Sequence, residues 1–332
     1  MTRFLITGAN GFIGTNLVES LRTGINGPYT VTLLDLDTPK IELYKNEEWH
    51  KVDILDNNAI NTVFQQAMPN IVIHLAAQTS CEPELILDDY LVNTKGSENV
   101  FNACEKYGIE FIVHTSTQFV NQSDKMPISD TDYAPHTVYG ESKVISEKLL
   151  RDNTFSFNWC IIRPTNIWGR WHLRYPYEFW KILREGKYFH PGKKKVFRSY
   201  GYVGNVCWQI IELIKRRNES VISKNVFYVG DHPVNMLEWA NDFSLAIKQK
   251  PVRVVPTFFV YSLAVAGSVL RFLHIRFPIT LSRYKSMTTN NPAPMEKTFA
   301  VLGNPPFTQK EGVQQTTDWL WTFWQPENQQ AK

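Results

Sequence analysis

Cysteine is scarce in this chain. Cys81, Cys104, Cys160 and Cys207 lie far apart among 332 residues, with no CxxC pair and no His/Cys cluster. A disulfide framework and a zinc site are therefore excluded as organising features, no metal is expected, and a reducing, cytoplasmic compartment fits. Excess charge is also lacking. A net charge of +3 gives none of the basic character that marks a nucleic-acid partner. The start, MTRFLITGAN, runs straight into a strand pattern, without the apolar core and cleavage site of a signal peptide.

Long apolar runs are equally rare. The one candidate is PTFFVYSLAVAGSVLRFLHIRF (256–277), whose uncharged part, 257–270, is 14 residues long. A membrane span needs roughly 20, and Arg271, His274 and Arg276 interrupt this one. Two readings remain: a buried helix, or an interfacial helix with one side in a leaflet. Acidic residues are absent from Phe243 to Met295, a segment holding Lys248, Lys250, Arg253, Arg271, Arg276, Arg283 and Lys285. A second basic zone runs over 169–200. Together they suit an anionic ligand or an anionic lipid surface, such as the inner face of the plasma membrane.

The composition is otherwise that of a globular protein, 43% hydrophobic and 20% charged. In the first half, β-branched runs (3–7, 30–35, 49–53, 71–75, 111–116, 159–163) alternate with helical patterns (14–22, 57–67, 94–107, 138–153). Alternation of this kind predicts an α/β fold, a Rossmann-like doubly wound parallel sheet covered on both faces. Domain boundaries are expected at 1–165 for a cofactor-binding domain, with 200–230 returning to it. A smaller substrate domain is expected from 166–199 and 231–332.

FLITGANGFIG reads as strand, glycine-rich turn and helix start, with Gly8, Gly11 and Gly14 in the turn. Residues without Cβ let the backbone approach a diphosphate, and the helix N-terminus supplies N–H groups and a favourable dipole. Asp35 closes the next strand, where a carboxylate accepts from ribose hydroxyls and repels a 2′-phosphate. No Arg or Lys directly follows it, so NAD is favoured over NADP. Tyr139 and Lys143 in VYGESK stand at i and i+4, on one helical face. An ammonium one turn away is expected to lower the phenol's pKa and make it a usable base.

These features resemble the extended short-chain dehydrogenase/reductase family, in its NAD-dependent epimerase/dehydratase branch. The resemblance rests on TGANGFIG (7–14), Asp35, VDIL (52–55), HLAA (74–77), Asn93 in VNTKGSENV, HTSTQFV (114–120), Tyr139 with Lys143, RPTNIWG (163–169) and RSYGYVGNV (198–206). It implies an NAD site formed by Gly8, Gly11, Phe12, Ile13, Gly14 and Asp35. Asp53 and Ile54 would meet the adenine, Ala76 and Ala77 the diphosphate and ribose, with Asn93, Tyr139, Lys143 and Pro164 completing it. The catalytic group would be Thr117, Tyr139 and Lys143, with Ser116 competing for the hydroxyl role.

Where dehydratases of the family carry an Asp–Glu pair, this chain has Gln118 and Phe119, so dehydration is not expected. Gln118 would bind a sugar hydroxyl or cap the strand. Asn166 and Arg198 match positions that bind a substrate diphosphate. The resemblance therefore implies a C4 epimerase of a nucleotide-diphosphate or polyprenyl-diphosphate sugar. A 4-ketoreductase and a sterol or 3β-hydroxysteroid dehydrogenase are the alternatives. A homodimer through helices 94–107 and 138–153 is also implied.

Overall fold

The structure, a computed structural model, describes residues 1–122, 125–272, 275, 277 and 279–330, with 272 and 325–330 by backbone alone. His274 and Arg276 lie outside the described residues. Seven strands form the main sheet: β1 (Thr2–Thr7), β2 (Tyr29–Asp35), β3 (Glu47–Lys51), β4 (Ile71–His74), β5 (Phe111–Thr115), β6 (Asn158–Pro164) and β7 (Asn225–Val229). The helices are α1 (Phe12–Gly24), α2 (Asn57–Ala67), α3 (Ser97–Lys106), α4 (Val138–Asp152), α5 (Phe179–Arg184), α6 (Val203–Lys215), α7 (Met236–Lys248), α8 (Thr257–Phe272), α9 (Leu281–Thr288), α10 (Glu296–Leu302) and α11 (Gln309–Gln330).

The strand order is β7-β6-β5-β4-β1-β2-β3, and every neighbouring pair is parallel. The order reverses between β1 and β4. That is the switch point at which doubly wound folds bind ligands, beyond the strands' carboxyl ends. Continuous apolar runs such as IVIH in β4 are buried along their whole length, as a sheet covered on both faces requires. One side of the core joins Leu5, Val72, Ile112 and Ile161 to Phe64 of α2 and Val100, Phe101 and Cys104 of α3. Burying each large apolar side chain contributes about 1.5–3 kcal/mol.

The chain divides into two compact units. Unit 1 comprises Met1–Ile167, Val203–Gly230 and Ala293–Pro306, and it holds the sheet. The expected boundary left 293–306 outside this unit. Packing places it inside: the Thr298 hydroxyl of α10 donates to the Tyr228 carbonyl of β7 at 2.6 Å, and Ala293, Met295 and Phe299 cluster around the Tyr228 side chain. Unit 2 comprises Trp168–Tyr202, Asp231–Pro292 and Phe307–Lys332. Its core is aromatic. Trp168, Trp180 and Trp239 are fully buried, with Phe243 at 5.3 Å from Trp168 and Phe179 stacked on Trp239 at 4.9 Å. The WGRWHLRYPYEFW stretch thus supplies much of that core.

Candidate active site

The turn between β1 and α1 leaves no room for side chains. A Cβ at Gly14 would lie 2.2 Å from the Gly8 carbonyl oxygen, and one at Gly8, whose φ is +71°, would lie 2.6 Å from the Ala76 nitrogen. Only glycine permits this closure. The result seats the turn against the loop after β4 and leaves α1 without a side-chain cap at Gly11. An uncapped helix start beside a tight glycine turn fits a diphosphate. At the end of β2, Asp35 Oδ2 accepts from the Asn10 N–H at 2.8 Å, which holds the carboxylate against the turn. Lys40, five residues further on, reaches the same corner and donates to the Asn10 carbonyl at 2.7 Å. Its distance from Asp35 along the chain hides it in the sequence.

A buried chain of hydrogen bonds links this cradle to α4. Thr7 and His74 are register partners on β1 and β4, and His74 and His114 on β4 and β5. The Ser97 hydroxyl donates to the Asn93 carbonyl at 2.7 Å, so it accepts from His74 Nε2–H at 3.0 Å. His74 Nδ1 is then the acceptor for the Thr7 hydroxyl at 2.7 Å, and Thr7 accepts from the Ala76 N–H at 3.3 Å. Asn93 continues the path. Its Nδ2 donates to the Ser142 hydroxyl at 2.9 Å, which donates to the Tyr139 carbonyl at 2.7 Å. Burial, reinforced by the Lys143 charge, pulls His74 down to about 3, so it stays neutral and keeps this one tautomer.

Asn93 was expected to touch the cofactor directly. It is fully buried, and both ends of its amide hold the Gln78 backbone at 2.8 and 2.9 Å. Its part is to position the loop after β4. Ile54 likewise faces inward: a Cβ on Gly96 would lie 2.7 Å from its Cδ1, and its carbonyl accepts from Asn99 Nδ2 at 2.9 Å. The Asp53 beside it is exposed. Sequence reasoning missed His74, Ser97 and Ser142. The available signals were histidines inside two apolar strand runs, and a serine three residues after Tyr139 on one helical face.

Thr117, Tyr139 and Lys143 are brought together. All three are buried, and the Thr117 side chain lies near enough to the Tyr139 phenol to pull its pKa down. Thr117 also accepts from the Phe119 N–H at 3.3 Å, which fixes its rotamer. Ser116, its competitor, is buried with no partner for its hydroxyl among the described residues. The expected pKa direction for Tyr139 is corrected. Burial pushes the phenol up from its usual value, and Thr117 pulls it only part of the way back. Loss of water outweighs every attractive partner, a balance that spacing along a helix does not reveal.

Burial also pulls Lys143 down, from 10.5 to about 8, while Glu147 one turn further pulls it upward. A base whose folded pKa is depressed costs stability below that pKa. The cost is relieved as pH rises from about 8 to 10.5. Lys143→Met is therefore expected to stabilise the fold by about 3 kcal/mol at neutral pH, fading towards pH 10.5, while abolishing turnover. Urea unfolding at pH 7 and at pH 10 checks this; a variant less stable at pH 7 would contradict it.

The remaining residues of the predicted site fall as follows. Gln118 follows Thr117, and its Nε2 is buried with no hydrogen-bond partner among the described residues. Ala76 and Ala77 are half-buried beyond β4. Pro164 ends β6, and Asn166 is half-buried just beyond it. Arg198 belongs to unit 2, where its guanidinium donates to the Ser286 and Thr289 carbonyls at the end of α9, at 2.9 and 3.2 Å.

A doubly wound sheet with a glycine turn, a ribose-ready carboxylate and a buried Tyr–Lys pair defines a dinucleotide-dependent enzyme. The sequence profile of the NAD dependent epimerase/dehydratase family matches residues 4–230, and the chain belongs to that family. It is an NAD-dependent enzyme of the extended short-chain dehydrogenase/reductase type. N-acetyl-alpha-D-glucosaminyl-diphospho-ditrans,octacis-undecaprenol 4-epimerase of Escherichia coli O157:H7 is 26% identical over 94% of this chain and 93% of its own. The decarboxylating sterol-4-alpha-carboxylate 3-dehydrogenase of Schizosaccharomyces pombe is 25% identical over 96% of this chain and 98% of its own. The crystal structure of UDP-glucose 4-epimerase with UDP-glucose from Thermotoga maritima shares the fold, at TM-score 0.72 and 21% identity, covering 96% of this chain and 99% of that one.

Proposed function

We propose that this chain is an NAD-dependent C4 epimerase of a sugar carried on a diphosphate, polyprenyl-linked or nucleotide-linked. The observation that carries the reading is the buried group of Thr117, Tyr139 and Lys143. It places one proton-transfer residue against a hydroxyl and one turn from an ammonium. In this reading the Gly8–Gly14 turn, with the Phe12 and Ile13 N–H groups, holds the NAD diphosphate, and Asp35 holds the adenosine ribose. Asp53 and the Ile54 backbone meet the adenine, and Ala76, Ala77 and Pro164 line the site. NAD supplies the hydride acceptor and, once reduced, the hydride donor.

The protein's own work is on the proton. Tyr139 takes it from the reacting hydroxyl, and Thr117 holds that oxygen in line. Lys143 stabilises the phenolate and binds the nicotinamide-side ribose. Epimerisation returns the proton to the oxygen it left, so one tyrosine serves both halves of the reaction. Gln118 Nε2 donates to a sugar hydroxyl, and Asn166 and Arg198 bind the diphosphate. The full-length likeness to the undecaprenol-linked 4-epimerase supports this substrate class. We expect a cytoplasmic homodimer.

A sterol dehydrogenase is the second reading, favoured by the exposed apolar residues of α8 and by the S. pombe relative. The test is incubation with NAD and, separately, a nucleotide-diphosphate sugar, a polyprenyl-diphosphate sugar and a 3β-hydroxysterol. The expected result is interconversion of C4 epimers on one of the sugars with no net NADH. NADH accumulating with the sterol, and no epimer from either sugar, would sink the epimerase reading.

A further inference from the structure

We propose that α8 and α9 form a docking surface for an anionic lipid bilayer, with α8 lying along the interface. The helix shows its apolar side outward. Phe258, Tyr261, Val265 and Val269 recur at helical spacing on one exposed face, with Phe259 and Ala266 at its edge. Phe258 is 74% exposed, Phe259 50% and Val269 56%. The one polar side chain on that face, Ser262, donates to the Phe258 carbonyl at 3.0 Å and so adds little polarity. The opposite face is used within unit 2. Val260 and Ala264 are fully buried, and a Cβ on Gly267 would lie 1.9 Å from the Ile279 carbonyl oxygen. A surface helix of a globular protein normally turns its polar side to water. Here the outward side is a contiguous apolar ridge, the kind of patch that marks an interaction site.

Charge identifies the occupant. No acid occurs from Phe243 to Met295. Arg253 precedes α8, Arg271 ends it, and Arg283 and Lys285 stand on α9, all four exposed. The two helices are joined by a Tyr261–Tyr284 edge contact at 5.4 Å and by the Leu281 N–H on Ser268 Oγ at 2.9 Å. An isologous contact with a second copy would set this basic set against itself. Anionic headgroups neutralise it while acyl chains receive the phenylalanines. At 16 residues α8 lies along a leaflet, and no described helix is long and apolar enough to cross a membrane. The inference stands apart from the epimerase reading, because vesicle binding is measured without turnover.

The experiment is co-sedimentation of the full chain with vesicles of phosphatidylcholine alone and of phosphatidylcholine mixed with phosphatidylglycerol. The wild type is expected to bind the mixed vesicles, to release them at high salt and to bind phosphatidylcholine far more weakly. Phe258→Ser/Phe259→Ser/Val269→Ser is expected to weaken binding by about tenfold or more. Arg271→Gln/Arg283→Gln/Lys285→Gln is expected to weaken it by about fivefold per charge. Both variants should keep the wild-type melting curve, since they change only exposed side chains. Failure of the wild type to bind, or equal binding by both variants, would overturn the proposal. So would a change in oligomeric state of the serine variant without vesicles, which would assign the face to a second copy.

Discussion

Tyr139→Phe is expected to lower kcat/KM by about three to four orders of magnitude while leaving the fold and NAD binding in place. The phenol oxygen is the one proton-transfer atom in the buried group, and epimerisation uses it twice. The ring itself is buried and packs 6.3 Å from Tyr90 and 6.3 Å from Phe119, so phenylalanine keeps the packing. Burial holds the phenol above its usual pKa, so removing the hydroxyl also removes a desolvated polar group. The variant should therefore melt no lower than the wild type. Turnover on the native substrate, with calorimetric NAD titration on the same sample, checks both halves. Thr117→Val should cost about a hundredfold and Ser116→Ala about twofold or less, because Thr117 acts on the phenol while the Ser116 hydroxyl has no partner among the described residues. A larger loss from Ser116→Ala would reverse the assignment between the two hydroxyls.

What the sequence made legible is what local chemistry dictates. The first six strands and the four helices between them follow from periodicity, and their limits shift by a few residues at most. The clearest shift is at β3, which runs from Glu47 to Lys51 rather than over 49–53. Gly8 and Gly14 were readable because steric closure leaves no alternative residue. Tyr139 and Lys143 were readable because i and i+4 share a helical face.

The rest depends on contacts between distant residues. Whether water or Lys143 decides the Tyr139 pKa is set by burial, which α4 alone does not encode. Asn93 reads as a ligand until its amide is found closing the Gln78 loop. Which sides of the 168–180 aromatics and of α8 are covered is decided by neighbours distant in sequence. Arg163 was visible within RPTNIWG, but its partner lies 16 residues back on another element.

That partner is Glu147, and breaking the pair has the largest expected effect on stability. Arg163 Nε and Nη2 donate to the two Glu147 oxygens at 2.8 and 2.7 Å, and both side chains are fully buried. The fork also donates to Tyr228 Oη at 2.9 Å and to the Asp130 carbonyl at 2.7 Å, while Tyr133 Oη donates to Glu147 at 2.9 Å. Arg163→Met strands a buried carboxylate and is expected to cost about 3–5 kcal/mol. That is a large share of the roughly 5–15 kcal/mol by which a domain is folded. Arg163→Met/Glu147→Leu removes the stranded carboxylate and should recover more than half of the loss, although the Tyr228 and Asp130 bonds stay broken and Lys143 and Arg151 lose the Glu147 charge.

The same pair acts on the chemistry. Tyr139, Lys143 and Glu147 are successive turns of α4, and Glu147 pulls Lys143 upward against burial. Glu147→Gln should drop Lys143 below about 8, so its ammonium is lost, and activity with it, as pH rises through neutrality. Urea unfolding of the two Arg163 variants, and pH–rate profiles of wild type and Glu147→Gln, test the two consequences separately. A double variant no more stable than Arg163→Met would show that the cost lies in the lost hydrogen bonds rather than in the stranded charge.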